Sequence, residues 1–170
     1  MPKHIALLRG INVGGTNKLP MAELRAICAD LGWQNTRTYI ASGNVVFDAE
    51  GSPDALANQL AKALPIDVPV LVLTASDLAD RLKSCPFVPE TGNLLHAFFC
   101  TAQPSPNLDL IAKLRSSEEL EVIGKTFWLH TPDGFSKSKL AERIDRVLQG
   151  ATYTARNLNT VRKLVDMAAE

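Results

Sequence analysis

Apolar and polar positions along this chain fall into short continuous or alternating runs and longer stretches repeating every three to four residues, so strands and helices are separable by period. Ile5, Ala6, Leu7 and Leu8 are continuously apolar and stop at Arg9-Gly10, which predicts a strand buried on both faces. After a Gly-rich loop, Pro20 suits a helix start. Met21, Leu24, Ile27, Cys28 and Leu31 then share one helical face before Gly32 ends it. Residues 36–40 and 44–48 are short and rich in β-branched or aromatic side chains, and Ser42-Gly43-Asn44 between them predicts a hairpin. Ser52-Pro53 opens a helix with Leu56, Leu60 and Leu64 inward, Val68 to Thr74 is a further buried strand, and Ala75 to about Lys83 a short helix with Thr74 and Asp77 spaced as a capping pair.

The second half repeats the order. Leu94 to Thr101 is strand-like, and Asn107 to Arg115 is a helix with Leu108, Ile111 and Leu114 inward. Leu120 and Val122 alternate with glutamates in a half-exposed strand, and Gly124-Lys125 turns the chain into Thr126 to His130. Lys137 to Gln149 is expected as one helix burying Leu140, Ile144, Val147 and Leu148. Ala151 to Thr154 is a last short strand, and the final helix turns Leu158, Val161, Leu164 and Val165 inward.

Element order therefore predicts an α+β protein of two ferredoxin-like (βαββαβ) subdomains, each followed by a helix. The first spans 1–83, a Pro- and Gly-bearing linker 84–93, and the second 94–170. No residue-level repeat accompanies the repeated order. At 170 residues the chain can bury a core without metals or disulfides.

Composition is ordinary for a globular protein, with 46% hydrophobic and 21% charged residues. Cys28, Cys85 and Cys100 are odd in number and lie in no zinc or redox spacing, which suits a reducing cytoplasm. No segment has the length of a signal peptide's apolar core or a membrane span. Net charge is zero, so nucleic acid is not the expected partner. The charge is uneven, however: residues 1–25 carry +3, residues 136–165 carry +5, and the middle is −6. Those basic ends are either solvated faces or parts of a site. No oligomeric state follows from the pattern.

The segment richest in candidate chemistry is Arg9-Gly10-Ile11-Asn12-Val13-Gly14-Gly15-Thr16-Asn17-Lys18, between a strand and a helix start. Glycines expose backbone N–H groups, a helix start adds partial positive charge, and Lys18 a full one, which together can hold a phosphate or carboxylate. It is not a P-loop, because Thr16 stands where that motif needs lysine, and no GxGxxG is present. Backbone geometry alone also explains a Gly-Gly pair in a tight turn. In a ferredoxin-like half, the Ser42-Gly43-Asn44 hairpin would lie at the same sheet edge as this loop. The third segment is Thr154 to Lys163, with Lys137 and Lys139 upstream. There Arg156 could offer a planar fork, and Asn157 or Asn159 could read a ligand or cap the final helix.

Catalytic patterns are thin. His4, His96 and His130 are isolated, no metal-ligand spacing or GxSxG occurs, and Glu118, Glu119 and Glu121 are expected on a solvent-exposed strand. No metal or cofactor is expected. An RNA-binding sheet needs paired aromatics for base stacking, and the first and third strands offer only Phe47.

The combination LLRGINVGGTNKLPMAELR, TYIASGNVVF and TARNLNTVRKL resembles a widespread bacterial family catalogued as domain of unknown function 1697. The resemblance spans Leu7 to about Leu164 and implies two ferredoxin-like subdomains, with no established activity, substrate or cofactor. Its signature positions here include Arg9, Asn12, Gly14, Gly15, Lys18, Ser42, Asn44, Arg156, Asn157, Asn159 and Thr160. One departure stands out: where relatives resemble RNWNT, this chain has Leu158. The expected function is binding of a small anionic ligand, phosphate- or nucleotide-type, by Arg9, Asn12, Gly14, Gly15, Asn17, Lys18, Ser42, Asn44, Arg156, Asn157 and Asn159. The alternatives are an enzyme using the same cleft and a nucleic-acid accessory protein.

Overall fold

The computed structural model describes residues 1–170 as a mixed α/β protein with two four-stranded antiparallel sheets. Its contacts divide the chain into two compact units, Met1–Asp80 with Lys163–Glu170, and Arg81–Arg162. The sequence places its division at 84–93 instead, and assigns the final residues to the second half. No helix is long and apolar enough to cross a membrane.

The first unit runs β1 (Lys3–Leu8), α1 (Met21–Asp30), β2 (Gln34–Thr38), β3 (Asn44–Asp48), α2 (Pro53–Ala63), β4 (Val70–Thr74) and the start of α3 (Ala75–Lys83). Its sheet has the order β2-β3-β1-β4. Strand β1, continuously apolar from Ile5 to Leu8, is central, with Ile5 opposite Val46 on one side and Leu73 on the other, and both faces of that run are buried. On one face Ala6, Leu8, Val45, Phe47 and Val72 meet Leu24 and Cys28 of α1 and Leu56 and Leu60 of α2. Each leucine buried this way contributes roughly 1.5–3 kcal/mol. Trp33, just past the Gly32 stop, stacks flat on Phe47 with ring centroids 3.8 Å apart.

Local chemistry sets the helix starts in this unit. Ser52 accepts a hydrogen bond from the Ala55 N–H, with Pro53 preformed for the first turn, and Thr74 accepts one from the Asp77 N–H. Pro20 precedes α1 and supplies no side-chain cap.

The second unit contains β5 (Leu95–Cys100), β6 (Ser105–Pro106), α4 (Leu108–Leu114), β7 (Glu119–Ile123), β8 (Thr126–His130), α5 (Lys139–Glu142), α6 (Ile144–Val147), β9 (Leu148–Gln149), β10 (Tyr153–Asn157) and the start of α7 (Leu158–Ala169). Its main sheet has the order β10-β5-β8-β7. Phe98, Phe127 and Leu129 on the sheet pack with Ile111, Leu140, Ile144 and Val147 from the helices.

Several features differ from the sequence expectation: the second strand is Gln34–Thr38 rather than 36–40, and Leu108, expected inward, is 72% exposed at the first position of α4. The single helix over Lys137–Gln149 is broken at Arg143 (φ −108°, ψ 28°), leaving α5 and α6. Its last residues, as β9, instead pair with β6, and the Asn107 N–H donates to the Val147 carbonyl. Leu140, Ile144, Val147 and Leu148 are all buried, so the apolar pattern is met by a different backbone. The final strand is Tyr153–Asn157 rather than 151–154, which puts Arg156 and Asn157 inside the sheet.

Candidate functional site

The chain leaving β1 folds into a miniature hairpin. The Asn12 N–H donates to the Asn17 carbonyl (3.1 Å) and the Thr16 N–H to the Val13 carbonyl (3.0 Å), with Gly14 (φ 59°) and Gly15 (φ 79°) at the tip. Positive φ at both central residues is the demand of a two-residue hairpin turn. No atom lies within 4 Å of where either glycine's Cβ would stand. Backbone conformation, not crowding, therefore selects glycine here.

Asn12 holds this hairpin to its surroundings. Its Nδ2 donates to the carbonyls of Leu19 (2.9 Å) and Ala41 (2.7 Å), and its Oδ1 accepts from the Leu19 N–H (2.8 Å). One amide thus ties the hairpin to the residues leading into α1 and to the β2–β3 turn. Asn17 Nδ2 donates to the Gly10 carbonyl (3.2 Å). In the facing turn, buried Asn44 donates from Nδ2 to the Tyr39 carbonyl and to Ser42 Oγ, both at 3.0 Å. Gly43 accepts from the Leu8 N–H (2.9 Å). The structure therefore brings together the two loops that the sequence places at one sheet edge. Their asparagines act on the loops themselves.

Between the loops and the start of α1 lies a cleft of about 430 Å³, lined by Asn12, Gly15, Lys18, Leu19, Pro20, Met21 and Ala41. Pro20 brings no capping oxygen, so the first-turn amides of α1 have no side-chain acceptor. Lys18 supplies positive charge, and Glu23 in the first turn supplies a negative one. Arg9 is half-buried, its N–H bonded to the Pro69 carbonyl, and it is not among the lining residues.

Arg156, Asn157 and Asn159 belong to the second unit. Arg156 is 9% exposed within β10, donates from Nη1 to the Ala155 carbonyl (2.8 Å), and is lowered by burial to about 10, where it is still charged at neutral pH. Asn157 Oδ1 accepts from the Thr160 N–H (3.0 Å), capping α7. Asn159 fills the space over Gly92, where a Cβ would lie 2.1 Å from its Oδ1. Leu158 is buried, so this position packs in the interior.

One acidic residue departs from its expected place. Glu119 and Glu121 are exposed, as their alternation predicts, but Glu118 is only 4% exposed. Burial alone would raise its carboxyl. Hydrogen bonds from the N–H groups of Ser116, Glu118 and Leu140 and from the Ser138 hydroxyl outweigh that, holding it below the usual carboxylate range. Ser138 lies 20 positions away, and nothing local in the sequence signals the partnership.

The remaining titratable groups offer little nucleophilic chemistry. The cysteines are free thiols, and burial pushes Cys28 up to about 12, Cys100 up to about 11 and Cys85 upward. Thiolate is scarce at such values. His96 is lowered by burial to about 4, its ring stacked on Phe135 at 3.9 Å and its buried Nδ1 without a hydrogen bond. No group of three or more His, Cys, Asp or Glu is placed to hold a metal ion.

Comparison with known proteins adds a fold relative. No curated protein matches this sequence. The structure is similar to that of the conserved bacterial protein SP0830 from Streptococcus pneumoniae, 26% identical, with a TM-score of 0.72 over 98% of both chains. A family model described as "Protein of unknown function (DUF1697)" matches residues 1–128. That stretch contains the Asn12 hairpin, the Asn44 turn and the α1 cleft, and the chain belongs to this family.

Proposed function

We propose that the protein binds a small anionic ligand, phosphate- or nucleotide-type, in the cleft at the start of α1. The observation that carries this reading is the convergence of Lys18 and an α1 N-terminus lacking a side-chain cap on one cleft of about 430 Å³. A volume of that order suits a small molecule. The ammonium of Lys18 and the partial positive charge of the helix end favour the anionic group, while Pro20, Met21 and Ala41 suit an apolar or ring-bearing body. Asn12, Asn17, Ser42 and Asn44 hold the walls, and Gly14 and Gly15 let the hairpin tip approach the ligand closely.

The scaffold in this reading is a pair of ferredoxin-like units, supported by the shared strand order fourth-first-third-second in β2-β3-β1-β4 and β10-β5-β8-β7. Three free thiols fit a cytoplasmic setting.

A thermal-shift screen of phosphates, nucleotides and small carboxylates tests the proposal. A ligand at a hundredfold excess over its Kd stabilises the folded state by about 2.7 kcal/mol. Lys18→Gln should abolish most of that gain. If no such ligand raises Tm, or if Lys18→Gln leaves the gain unchanged, the reading fails.

A further inference from the structure

The second unit contains a cleft of about 360 Å³ between the end of α4 and the loop joining β8 to α5, and three lysines line it: Lys113, Lys137 and Lys139. None of the three forms an ion pair. Two carboxylates also line the cleft, yet both are engaged in bracing its walls. Glu118 accepts from the Ser116 N–H (2.7 Å) and the Ser138 hydroxyl (2.8 Å), and Asp133 accepts from the Ser117 hydroxyl. Arg115 is held as well, its Nε donating to the Glu118 carbonyl (2.8 Å).

The wall residues are thus cross-linked across the cleft, while the cations around it are left to solvent. Like charges gathered in a concave site repel one another and raise the local concentration of counter-ions. Lysine meets a phosphate as a point charge that needs no fixed fork geometry, so three flexible ammoniums can close on one oxyanion. The hydroxyl of Ser116, on the same wall, can donate to such an ion, while that of Ser117 stays with Asp133.

We propose that this lysine-lined cleft, braced by Glu118, is a second binding site, selective for a phosphate-type oxyanion and independent of the cleft at α1.

The test is a titration of the full-length 15N-labelled chain with inorganic phosphate, set against sodium chloride at matched ionic strength. Saturable amide shifts are expected at Ser116, Ser117, Gly134 and Lys139 with phosphate and not with chloride. The triple variant Lys113→Gln, Lys137→Gln, Lys139→Gln, whose changes are all at exposed positions, should weaken binding at least about tenfold. Lys137→Gln alone serves if the triple variant does not fold, with a smaller loss in the same amides. Shifts that do not saturate, that chloride reproduces, or that survive the lysine substitutions would overturn the proposal. Shifts confined to Gly14, Gly15 and Lys18 would support the α1 site while overturning this one. Shifts here alone would support this site.

Discussion

The two sheets share one strand order, but the loops carrying their candidate sites are held by different chemistry. In the first unit, neutral amides do the work: Asn12, Asn17 and Asn44 donate to backbone carbonyls, and glycines adopt positive φ where the chain turns. In the second, the brace is an ionised carboxylate, Glu118, and strand β5 of the same sheet carries the half-buried His96. Amide clips keep their hydrogen bonds at any moderate pH. A carboxylate brace and a half-buried neutral imidazole do not, so the two edges should fail under different stresses.

The largest effect tests the first edge. Gly43 has φ 91°, and a Cβ there would stand 2.7 Å from the Leu8 Cβ and 3.0 Å from Ile11 Cδ1. Gly43→Ala therefore combines left-handed strain with overpacking against a fully buried strand, and should cost about 3 kcal/mol in urea unfolding. Gly14→Ala, at similar φ sign but with open space around it, should cost only about 1 kcal/mol. Equal losses at the two positions would show that strain alone matters and that the close approach of turn to strand contributes nothing.

A smaller effect separates the edges by pH. The folded-state value of His96, about 4, lies below the usual 6.5, so the unfolded chain takes up the proton first and stability falls as pH drops from about 6.5 to about 4. Glu118 is also depressed on folding. Its contribution is complete above the ordinary carboxylate range, and is lost as pH falls through its folded value. Glu118→Gln should cost about 2 kcal/mol at neutral pH and flatten the lower part of the acid profile, while His96→Phe should flatten the upper part. Hydrogen exchange should show the amides of β5 and β8 losing protection on acidification before those of β1 and β3. Simultaneous loss in both sheets would break the contrast.

These differences track what could be seen in the sequence. The continuous apolar run of β1, the Ser42-Gly43-Asn44 turn and the Ser52-Pro53 helix start were legible because each depends on residues within a few positions. The amide clips were half-legible: the asparagines stood out as polar loop residues, and most of their partners are local, but the Ala41 carbonyl that joins Asn12 to the facing turn lies 29 positions away. Glu118 was not legible, because its burial depends on Ser138. The strand through Arg156 was missed for a physical reason as well. Burying a guanidinium is costly, so the pattern ended the strand before it, whereas Thr154 and Arg156 are buried on the alternate positions of β10. The break at Arg143 and the two-residue pairing of β9 with β6 leave the apolar spacing unchanged, and so no periodic trace.

The smallest effect concerns a position where the first edge departs from its own rule. Four non-glycine residues have positive φ, and three of them, Asn12, Asn17 and Asn35, are asparagines, which tolerate that conformation. The fourth is Ile40 (φ 49°), β-branched and 53% exposed, one residue before Ala41 at the cleft. A branched side chain held in left-handed backbone costs about 1–2 kcal/mol, and little burial is present to offset it. Ile40→Asn should therefore stabilise the chain by about 1 kcal/mol, read as a raised urea midpoint. The informative measurement is the same variant in the ligand screen. A stabilised Ile40→Asn protein with an unchanged ligand-induced shift makes the strain incidental. A stabilised protein whose shift is lost shows that the strained turn holds the α1 cleft in its binding shape, and that this edge too gives up stability for its site.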